Sequence, residues 1–236
     1  MTLYALRDDS CVLHLPMNEG EGSVVYDHSR YGNNGQIVGA NWTIGKFGMT
    51  LSFDGVDDYV DCGNDESLNS SEITVEAWIK PNSSQPRKWY MPLGKGDYAN
   101  SGWYFEADKD TGQIHFVVYD PIAGSSAHSG YASGVTLNQW HHIVGKFDGE
   151  NIYIIVDGTY KSSEYHPNAD PRSSEPLRIG IPKAYGGFPA PWKFNGLIDE
   201  VRIYNRALSE EEIKSLYLYY QNFEVRPCIL CPRPTI

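Results

Sequence analysis

Long apolar runs are missing from this chain of 236 residues. A helix that crosses a bilayer needs about 18 or more consecutive apolar residues, and no segment approaches that length. The sequence therefore predicts no membrane insertion. Residues 1–7 also lack the charged start, apolar centre and small-residue cleavage site of a secretory signal. We therefore expect a mature fragment that was cut from a longer protein.

Basic residues are scarce relative to acidic ones. The chain has 19 lysines and arginines against 30 aspartates and glutamates, which gives a formal net charge of −11. A protein that binds nucleic acid needs a basic patch to meet the phosphates. The sequence therefore excludes nucleic acid as a partner, whereas bound cations and neutral sugars are compatible with its charge.

Cysteines are also few: Cys11, Cys62, Cys228 and Cys231. The last two form a C-x-x-C in a proline-rich tail without a second such pair, so a four-ligand zinc site would have to recruit distant residues. No βαβ pattern surrounds them, which argues against a thioredoxin-like site. A tail disulfide and free thiols both remain open. Cys11 and Cys62 lie at predicted strand ends, and whether they pair depends on a distance that sequence does not give.

Helical periodicity is confined to residues 209–220, where Ser209 and Glu212 form a capping box. The rest of the chain shows short alternating or apolar runs separated by turn residues. The predicted strands are residues 11–17, 48–53, 57–62, 72–80, 102–107, 113–119, 140–147, 151–157, 177–181 and 196–204. This pattern is typical of an all-β, two-sheet antiparallel sandwich. We predict one domain over residues 11–221, with a flanking segment at 1–10 and a tail at 222–236.

The segment Gly196-Leu-Ile-Asp-Glu-Val-Arg-Ile-Tyr-Asn-Arg-Ala-Leu208 resembles the closing strand of laminin-G-like, concanavalin A-like jelly-roll domains. Other segments resemble earlier parts of such domains, in the same order: residues 12–20, 27–35, 51–60, 73–79, 139–149 and 152–158. The resemblance covers roughly residues 11–218 and implies a jelly-roll sandwich whose first and last strands are neighbours. It is specific for the fold and weak for the activity, because the fold carries lectins, adhesion modules and enzymes.

The same resemblance implies a structural calcium ion. In this family the aspartate of the opening loop and that of the closing strand often hold one, which carries over to Asp27 and Asp199, with an oxygen from Asn33 or Asn34. Calcium prefers six to eight oxygen ligands, and an acid at a half-buried strand position needs a partner. The alternative is that Asp27 makes an ordinary Asx-turn and that Asp199 pairs with Arg202 or a backbone amide.

A second acidic segment, Phe53-Asp-Gly-Val-Asp-Asp-Tyr59, carries three carboxylates. Three acids so close together resemble a metal-binding loop. The resemblance instead makes Asp54-Gly55 a hairpin turn and makes Asp57-Asp58 the start of the next strand. We therefore predict a turn here.

Aromatic residues are concentrated in or beside loops that are rich in glycine, proline and serine. Tryptophan and tyrosine stack on the C–H faces of sugar rings, and loops on a rigid sandwich are where ligand sites usually lie. The predicted ligand-binding residues are Trp89, Tyr98, Trp103, Tyr119, Tyr131, Tyr185 and Trp192. The alternative for Trp103 and Trp192 is that they fill the core.

Catalytic patterns are incomplete. Jelly-roll glycosidases carry Glu-x-Asp-x-Glu or a close variant on one strand, where alternate residues share a face, but this chain has Glu106-Ala-Asp108-Lys-Asp110. We therefore predict a non-catalytic, calcium-containing, lectin-like module that binds carbohydrate and belongs to a larger exported or cell-surface protein. A polysaccharide-degrading hydrolase or lyase, for example one using His128 or His166 with Tyr131, and an adhesion module that binds protein are the alternatives.

Overall fold

The computed structural model describes residues 8–97, 100–180 and 191–221. These residues form eighteen strands, a short 3-10 turn at Glu66–Leu68 and one α-helix, α1 (Glu210–Gln221). The strands, in chain order, are β1 (Cys11–Leu15), β2 (Val24–Val25), β3 (Gly35–Val38), β4 (Asn41–Ile44), β5 (Met49–Asp54), β6 (Tyr59–Asp61), β7 (Ile73–Pro81), β8 (Trp89–Tyr90), β9 (Leu93–Asp97), β10 (Ser101–Asp108), β11 (Gln113–Asp120), β12 (Ser125–His128), β13 (Ala132–Ser133), β14 (His141–Phe147), β15 (Asn151–Val156), β16 (Thr159–Tyr165), β17 (Leu177–Ile179) and β18 (Asn195–Tyr204).

The strands form two antiparallel sheets. In the eight-stranded sheet the order is β16-β15-β14-β7-β18-β5-β4, and β1 also pairs with β18. In the ten-stranded sheet the order is β12-β11-β10-β9-β17-β6-β3-β2, with β13 beside β11 and β8 beside β10. The first and last strands are neighbours, as expected, with His14 opposite Arg202 and Leu15 opposite Val201. The predicted two-sheet antiparallel sandwich is confirmed.

The core lies between the two sheets and explains which side chains face outward. Phe105 on β10 and Phe116 on β11 are fully buried and share one apolar cluster with Ile143 and Val201 from the eight-stranded sheet. Because successive strand residues point to opposite faces, the neighbours of these core residues point away from the core. This alternation places the polar residues of β10 and β11 on the outer face of the ten-stranded sheet.

Helix α1 covers the outer face of the eight-stranded sheet above a buried ionic network. The Arg202 guanidinium donates to Glu76 and to Glu200, with both N–O distances at 3.0 Å. The Tyr220 hydroxyl, on the last turn of α1, donates to Glu200 at 2.6 Å. The predicted capping box is present, because the Ser209 amide donates to Glu212 at 2.8 Å and the Glu212 amide donates to the Ser209 hydroxyl at 3.3 Å. The helix is thus fixed at both ends.

Cys11 and Cys62 are free thiols and do not pair with each other; Cys228 and Cys231 lie outside the described residues. Within the described part of the chain, no helix is long and apolar enough to span a membrane.

Candidate functional site

Side chains of several strands meet on the outer face of the ten-stranded sheet. Glu106 on β10 lies opposite His115 on β11, and both occupy outward positions. Trp89 on β8 reaches the same face, because it pairs with Asp108 on β10. Tyr131 precedes β13, which pairs with β11 next to His115. Four short segments that are distant in sequence therefore place these side chains in one region.

An aromatic row crosses this face. The His115 ring stacks between two other rings: its centroid lies 6.1 Å from that of Trp89 with an interplanar angle of 22°, and 4.9 Å from that of Tyr131 with an angle of 19°. His115 itself is buried, whereas Tyr131 is 54% exposed and Trp89 is half-buried. The rings therefore form a fixed, partly accessible surface that a ligand can contact without first ordering a loop.

A line of hydrogen bonds passes through His115, which also belongs to the aromatic row. The Glu106 carboxylate lies 2.8 Å from Nε2 of His115, and Nδ1 of His115 lies 3.1 Å from Nδ1 of His128. Burial is the main cause that lowers the pKa of His128 below its ordinary value of 6.5. We call Glu106, His115 and His128 the Glu–His–His relay. It is the main polar feature of the face.

An apolar patch adjoins the relay. Met91, Tyr104 and Val117 form a separate small cluster on the outer face of the sheet, and Trp192 packs against it. The Tyr104 hydroxyl lies 3.1 Å from that of Ser126. Because Val117 lies opposite both Tyr104 and His128 in the strand register, the patch and the relay are continuous.

The structure brings together four of the seven predicted ligand-binding residues. Trp89, Tyr131 and Trp192 lie on this face, and Tyr119 occupies an outward, half-buried position further along β11. The interpretation of Trp103 as a ligand residue is wrong: the residue is 1% exposed and its ring packs on that of Phe116 in the core. Tyr98 and Tyr185 lie outside the described residues.

Sequence reasoning had noted two members of the relay without joining them. Glu106 stood in the glycosidase-like motif, and His128 appeared as an isolated loop histidine. His115 was not singled out at all. The signal that would have found it is the pairing of β10 with β11 across the Asp110-Thr-Gly112 turn, which places His115 directly opposite Glu106.

The glycosidase-like motif is engaged in structural contacts. Glu106 is bound to His115, and the Asp108 carboxylate accepts from the Asp110 amide at 2.9 Å and lies 3.4 Å from Nζ of Lys88. The pKa of Asp108 is lowered overall. Burial raises it, but the Asp110 amide, the Thr111 hydroxyl and Lys88 together lower it by more. Asp110 itself lies in the turn after β10. These three acids therefore do not supply the free pair of carboxylates that retaining hydrolysis requires.

Asp27, the first predicted calcium ligand, is saturated with hydrogen bonds. Its carboxylate accepts from the amides of His14, Ser29 and Asn33 at 2.8–2.9 Å and from the Ser29 hydroxyl at 2.6 Å. Its own amide donates to the side-chain oxygen of Asn34 at 2.8 Å. The side-chain amide of Asn33 is also used, since it donates to the Val12 carbonyl at 2.8 Å. The opening loop is thus closed by its own polar groups, which is the Asx-turn alternative.

Asp199, the second predicted ligand, has the opposite character. Its side chain is completely buried, and neither carboxylate oxygen makes a hydrogen bond of acceptable geometry with any described residue. Burial and the neighbouring Glu200 raise its pKa well above the ordinary value, although the amides of Phe47, Glu200 and Lys46 lie close enough to oppose this. It does not pair with Arg202, which binds other acids. A buried carboxylate without a partner is costly, so Asp199 fits a cation.

Glu19 is a second acid of this kind, and sequence reasoning missed it. One oxygen accepts from the Tyr26 amide at 2.9 Å, and the other is buried without a partner among the described residues. Its neighbour Asn18 accepts from the Met49 amide at 3.0 Å. A Cβ on Gly45 would lie 3.0 Å from the Asp199 carboxylate. Asp199 therefore borders the turn at residues 45–48, Glu19 follows directly on the residue that binds Met49 at the end of that turn, and hard oxygen ligands of this type suit calcium.

The segment with Asp54, Asp57 and Asp58 is a turn rather than a metal loop, but it is not the predicted hairpin, because β5 and β6 belong to different sheets and β6 begins only at Tyr59. The Asp54 carboxylate accepts from the Val56 amide at 2.7 Å, and Asp58 accepts from the Asp54 amide at 2.9 Å. Ligand atoms of the three acids lie within 4.8 Å of one another. Two of the acids are exposed and the hydrogen bonds account for the geometry, so the turn explains their proximity.

The comparison with protein families identifies the class of protein. Residues 54–214, more than half of the chain, match the family model described as the concanavalin A-like lectin/glucanase superfamily. The chain belongs to this superfamily. A comparison with curated proteins found no match.

Solved structures with the same fold include several binding domains. The binding domain of Paraclostridial Mosquitocidal Protein 1 is 18% identical with a TM-score of 0.71, over 91% of this chain and 54% of that one. The botulinum neurotoxin serotype G binding domain is 18% identical with a TM-score of 0.70, over 90% and 51%. The chain thus spans about half the length of these toxin domains. These likenesses show the jelly-roll fold.

A third structure matches along nearly its whole length. It is Domain 4 of AbnA, an extracellular arabinanase from Geobacillus stearothermophilus, solved in complex with arabinotriose. It is 19% identical to this chain with a TM-score of 0.62, and the match covers 88% of this chain and 98% of that one. At this identity it, too, shows the fold alone.

Proposed function

We propose that this chain is a non-catalytic carbohydrate-binding module of a larger exported or cell-surface protein. The sugar binds on the outer face of the ten-stranded sheet, around His115. The single observation that carries the proposal is the aromatic row, in which the His115 ring stacks with those of Trp89 and Tyr131 and is also the middle member of the Glu–His–His relay. Apolar ring surface next to fixed polar groups is the combination that a sugar requires.

The two parts of the site have different tasks. The rings of Tyr131 and Trp89 contact the C–H groups of a sugar and remove apolar surface from water. The relay and the nearby hydroxyls exchange hydrogen bonds with the sugar hydroxyls. Both parts stand on paired strands or, for Tyr131, directly before one, so little conformational entropy is lost on binding.

The comparisons support this proposal without specifying the sugar. One neighbour was solved in complex with arabinotriose, and others are named as binding domains. The hydrolase alternative loses support because Glu106 and Asp108 are engaged in structural hydrogen bonds. The chain's negative charge favours neutral saccharides over acidic ones.

We further propose that calcium binds at Asp199 and Glu19 rather than at Asp27. The positive charge of the ion offsets two buried carboxylate oxygens on Asp199 and one on Glu19, all of which lack other partners among the described residues. Bound there, the ion ties the closing strand β18 to the turn at residues 45–48 and to the segment after β1. Its task is to stabilise the sandwich, and the sugar site lies on the other sheet.

The proposal predicts that Tyr131→Ala weakens saccharide binding by about tenfold or more, equivalent to about 1.4 kcal/mol. The measurement is isothermal titration calorimetry with arabinotriose and a panel of neutral oligosaccharides. Tyr26→Ala is the matched control, because Tyr26 is 55% exposed, about the same as Tyr131 at 54%, but follows β2 at the opposite edge of the same sheet.

The control variant should bind as the unaltered protein does, and both variants should unfold at nearly the same temperature. Equal weakening by the two substitutions would remove the outer face from consideration. Failure of the unaltered protein to bind any saccharide in the panel would contradict the function itself.

A further inference from the structure

We infer that His128 is the hydrogen-bond acceptor that this site offers to a sugar hydroxyl, and that Glu106, acting through His115, is the positioning residue that fixes this polarity. The inference rests on the proposed function. It adds a class of ligand, neutral saccharides that present a donating hydroxyl, and a pH dependence of binding.

The first step concerns the proton between Glu106 and His115. An ionised carboxylate has only acceptors, so Nε2 of His115 must carry the hydrogen of the 2.8 Å contact. We infer that His115 is neutral, with its one N–H at Nε2, which leaves its Nδ1 as an acceptor. Trp89 and Tyr131 lie against the two faces of the ring. The carboxylate therefore selects the tautomer and the stacked rings hold its orientation.

The second step concerns the proton between His115 and His128. The two Nδ1 atoms lie 3.1 Å apart, a distance at which one of them donates to the other. Two N–H groups cannot face each other at this separation, so only one proton lies between the rings. With His115 as acceptor, Nδ1 of His128 carries that proton, and its Nε2 is left with a lone pair.

The third step identifies Nε2 of His128 as the group that faces a ligand. It has no hydrogen-bond partner among the described residues and is not among the buried unpartnered atoms, so it is open to solvent. His128 lies on β12 next to the strand that holds His115, three residues before Tyr131. A sugar that contacts the Tyr131 ring can therefore donate a hydroxyl to this nitrogen. A uronate carboxylate, which only accepts, is disfavoured there.

Protonation reverses the polarity. The titratable groups that act on His128 are Glu106 and His115, from β10 and β11, and His166 after β16. Tyr131 stacks on His115, and Glu164 of β16 lies close to Gly130, two residues after His128. Burial keeps the pKa of His128 below 6.5, so the neutral acceptor form prevails at neutral pH. As the pH falls below the pKa of His128, Nε2 of His128 gains a proton and becomes a donor. Affinity for a neutral saccharide should therefore fall on acidification.

The test uses one neutral oligosaccharide from the calorimetric panel, titrated from about pH 8 to about pH 5. The unaltered protein should bind most tightly at the upper end and lose about tenfold in affinity towards the lower end. His128→Phe keeps a ring but has no acceptor, so we expect about tenfold weaker binding and a nearly flat pH profile. His28→Phe, at an exposed histidine of the opening loop, should leave both unchanged.

Glu106→Gln tests the positioning role. Long-range ¹H–¹⁵N spectra of the imidazoles should show the Nδ1–H tautomer of His128 in the unaltered protein and a mixture of tautomers in this variant, together with weaker binding. These spectra need no ligand, so they judge the relay even if the protein binds no saccharide. An Nε2–H tautomer of His128 in the unaltered protein would overturn the inference. The inference would also be overturned if His128→Phe bound the saccharide as tightly as the unaltered protein while Tyr131→Ala weakened binding. In that case the proposed function would stand.

Discussion

Replacing Arg202 with methionine should lower the free energy of unfolding by about 3–5 kcal/mol. Arg202 is buried on β18, and its guanidinium is the cation shared by the buried carboxylates of Glu76 and Glu200. Methionine fills a similar volume but removes the guanidinium partner of both acids, which leaves Glu76 with its 2.9 Å contact to Nε2 of His142 and Glu200 without an arginine in the interior. The cost of breaking such a network by removing one member is large because the remaining charges stay out of water.

The neighbouring histidine does not replace the lost cation. Nη2 of Arg202 lies 2.7 Å from Nε2 of His14, and because arginine only donates, that nitrogen must accept and carries no proton. Burial also lowers the pKa of His14. His14 is therefore neutral in the folded protein, and its 3.1 Å approach to Glu200 does not neutralise that acid.

Urea unfolding of the variant and of a matched control measures the effect. Arg172→Met removes an arginine whose side chain is 58% exposed and which pairs with Asp170 at the surface. Such pairs contribute about 0–1 kcal/mol. A loss below about 1 kcal/mol for Arg202→Met as well would show that the network under α1 is solvated or rearranged.

Asp199→Asn should raise stability in the presence of a chelator, by about 1–3 kcal/mol, and should abolish stabilisation by calcium. The substitution removes a negative charge from a site where burial raises the pKa of the carboxyl and where neither oxygen has a hydrogen-bond partner among the described residues. In the unaltered protein calcium should add stability, about 2.7 kcal/mol at a concentration one hundred times its dissociation constant. Thermal unfolding with and without calcium gives both values.

Asp27→Asn separates the two possible positions of the ion. Asp27 accepts four hydrogen bonds, so its replacement should lower stability while leaving the calcium shift unchanged. Glu19→Gln should reduce the shift, because it removes one of the buried unpartnered oxygens. A calcium shift that survives Asp199→Asn and disappears with Asp27→Asn would contradict the position proposed here. The absence of a calcium shift in the unaltered protein would contradict calcium binding.

The fold could be predicted because its longer strands bury one face, or both, in a regular pattern. β7 and β18 are buried along nearly their whole length, and both were located from sequence together with the capping box of α1. Short strands such as β2 and β8, with two residues each, contain too few residues to show a period. β16 was missed because its residues are polar and mostly exposed at a sheet edge.

The site could be predicted only in part, because its members depend on strand register. Residue type identified Trp89 and Tyr131, but it also selected Trp103, which differs from them in facing the core. Pairing of His115 with both Glu106 and His128 follows from the alignment of three strands, which composition and spacing do not determine. The calcium prediction named Asp199, whose buried oxygens lack a partner among the described residues, but it joined Asp199 to an aspartate that the opening loop already satisfies, and calcium binding itself stays a prediction.

The claim that sugar binds on the outer face of the ten-stranded sheet is tested most directly by the indole signals of the six tryptophans in ¹H–¹⁵N spectra. Each signal is assigned by a Trp→Phe variant, and a saccharide from the calorimetric panel is then added. The Trp89 signal should shift with the ligand concentration, whereas those of Trp78 and Trp103, both 1% exposed, should stay in place. A saccharide that binds, leaves the Trp89 and Trp192 signals unmoved and shifts that of Trp42, on β4 of the eight-stranded sheet, would contradict the account.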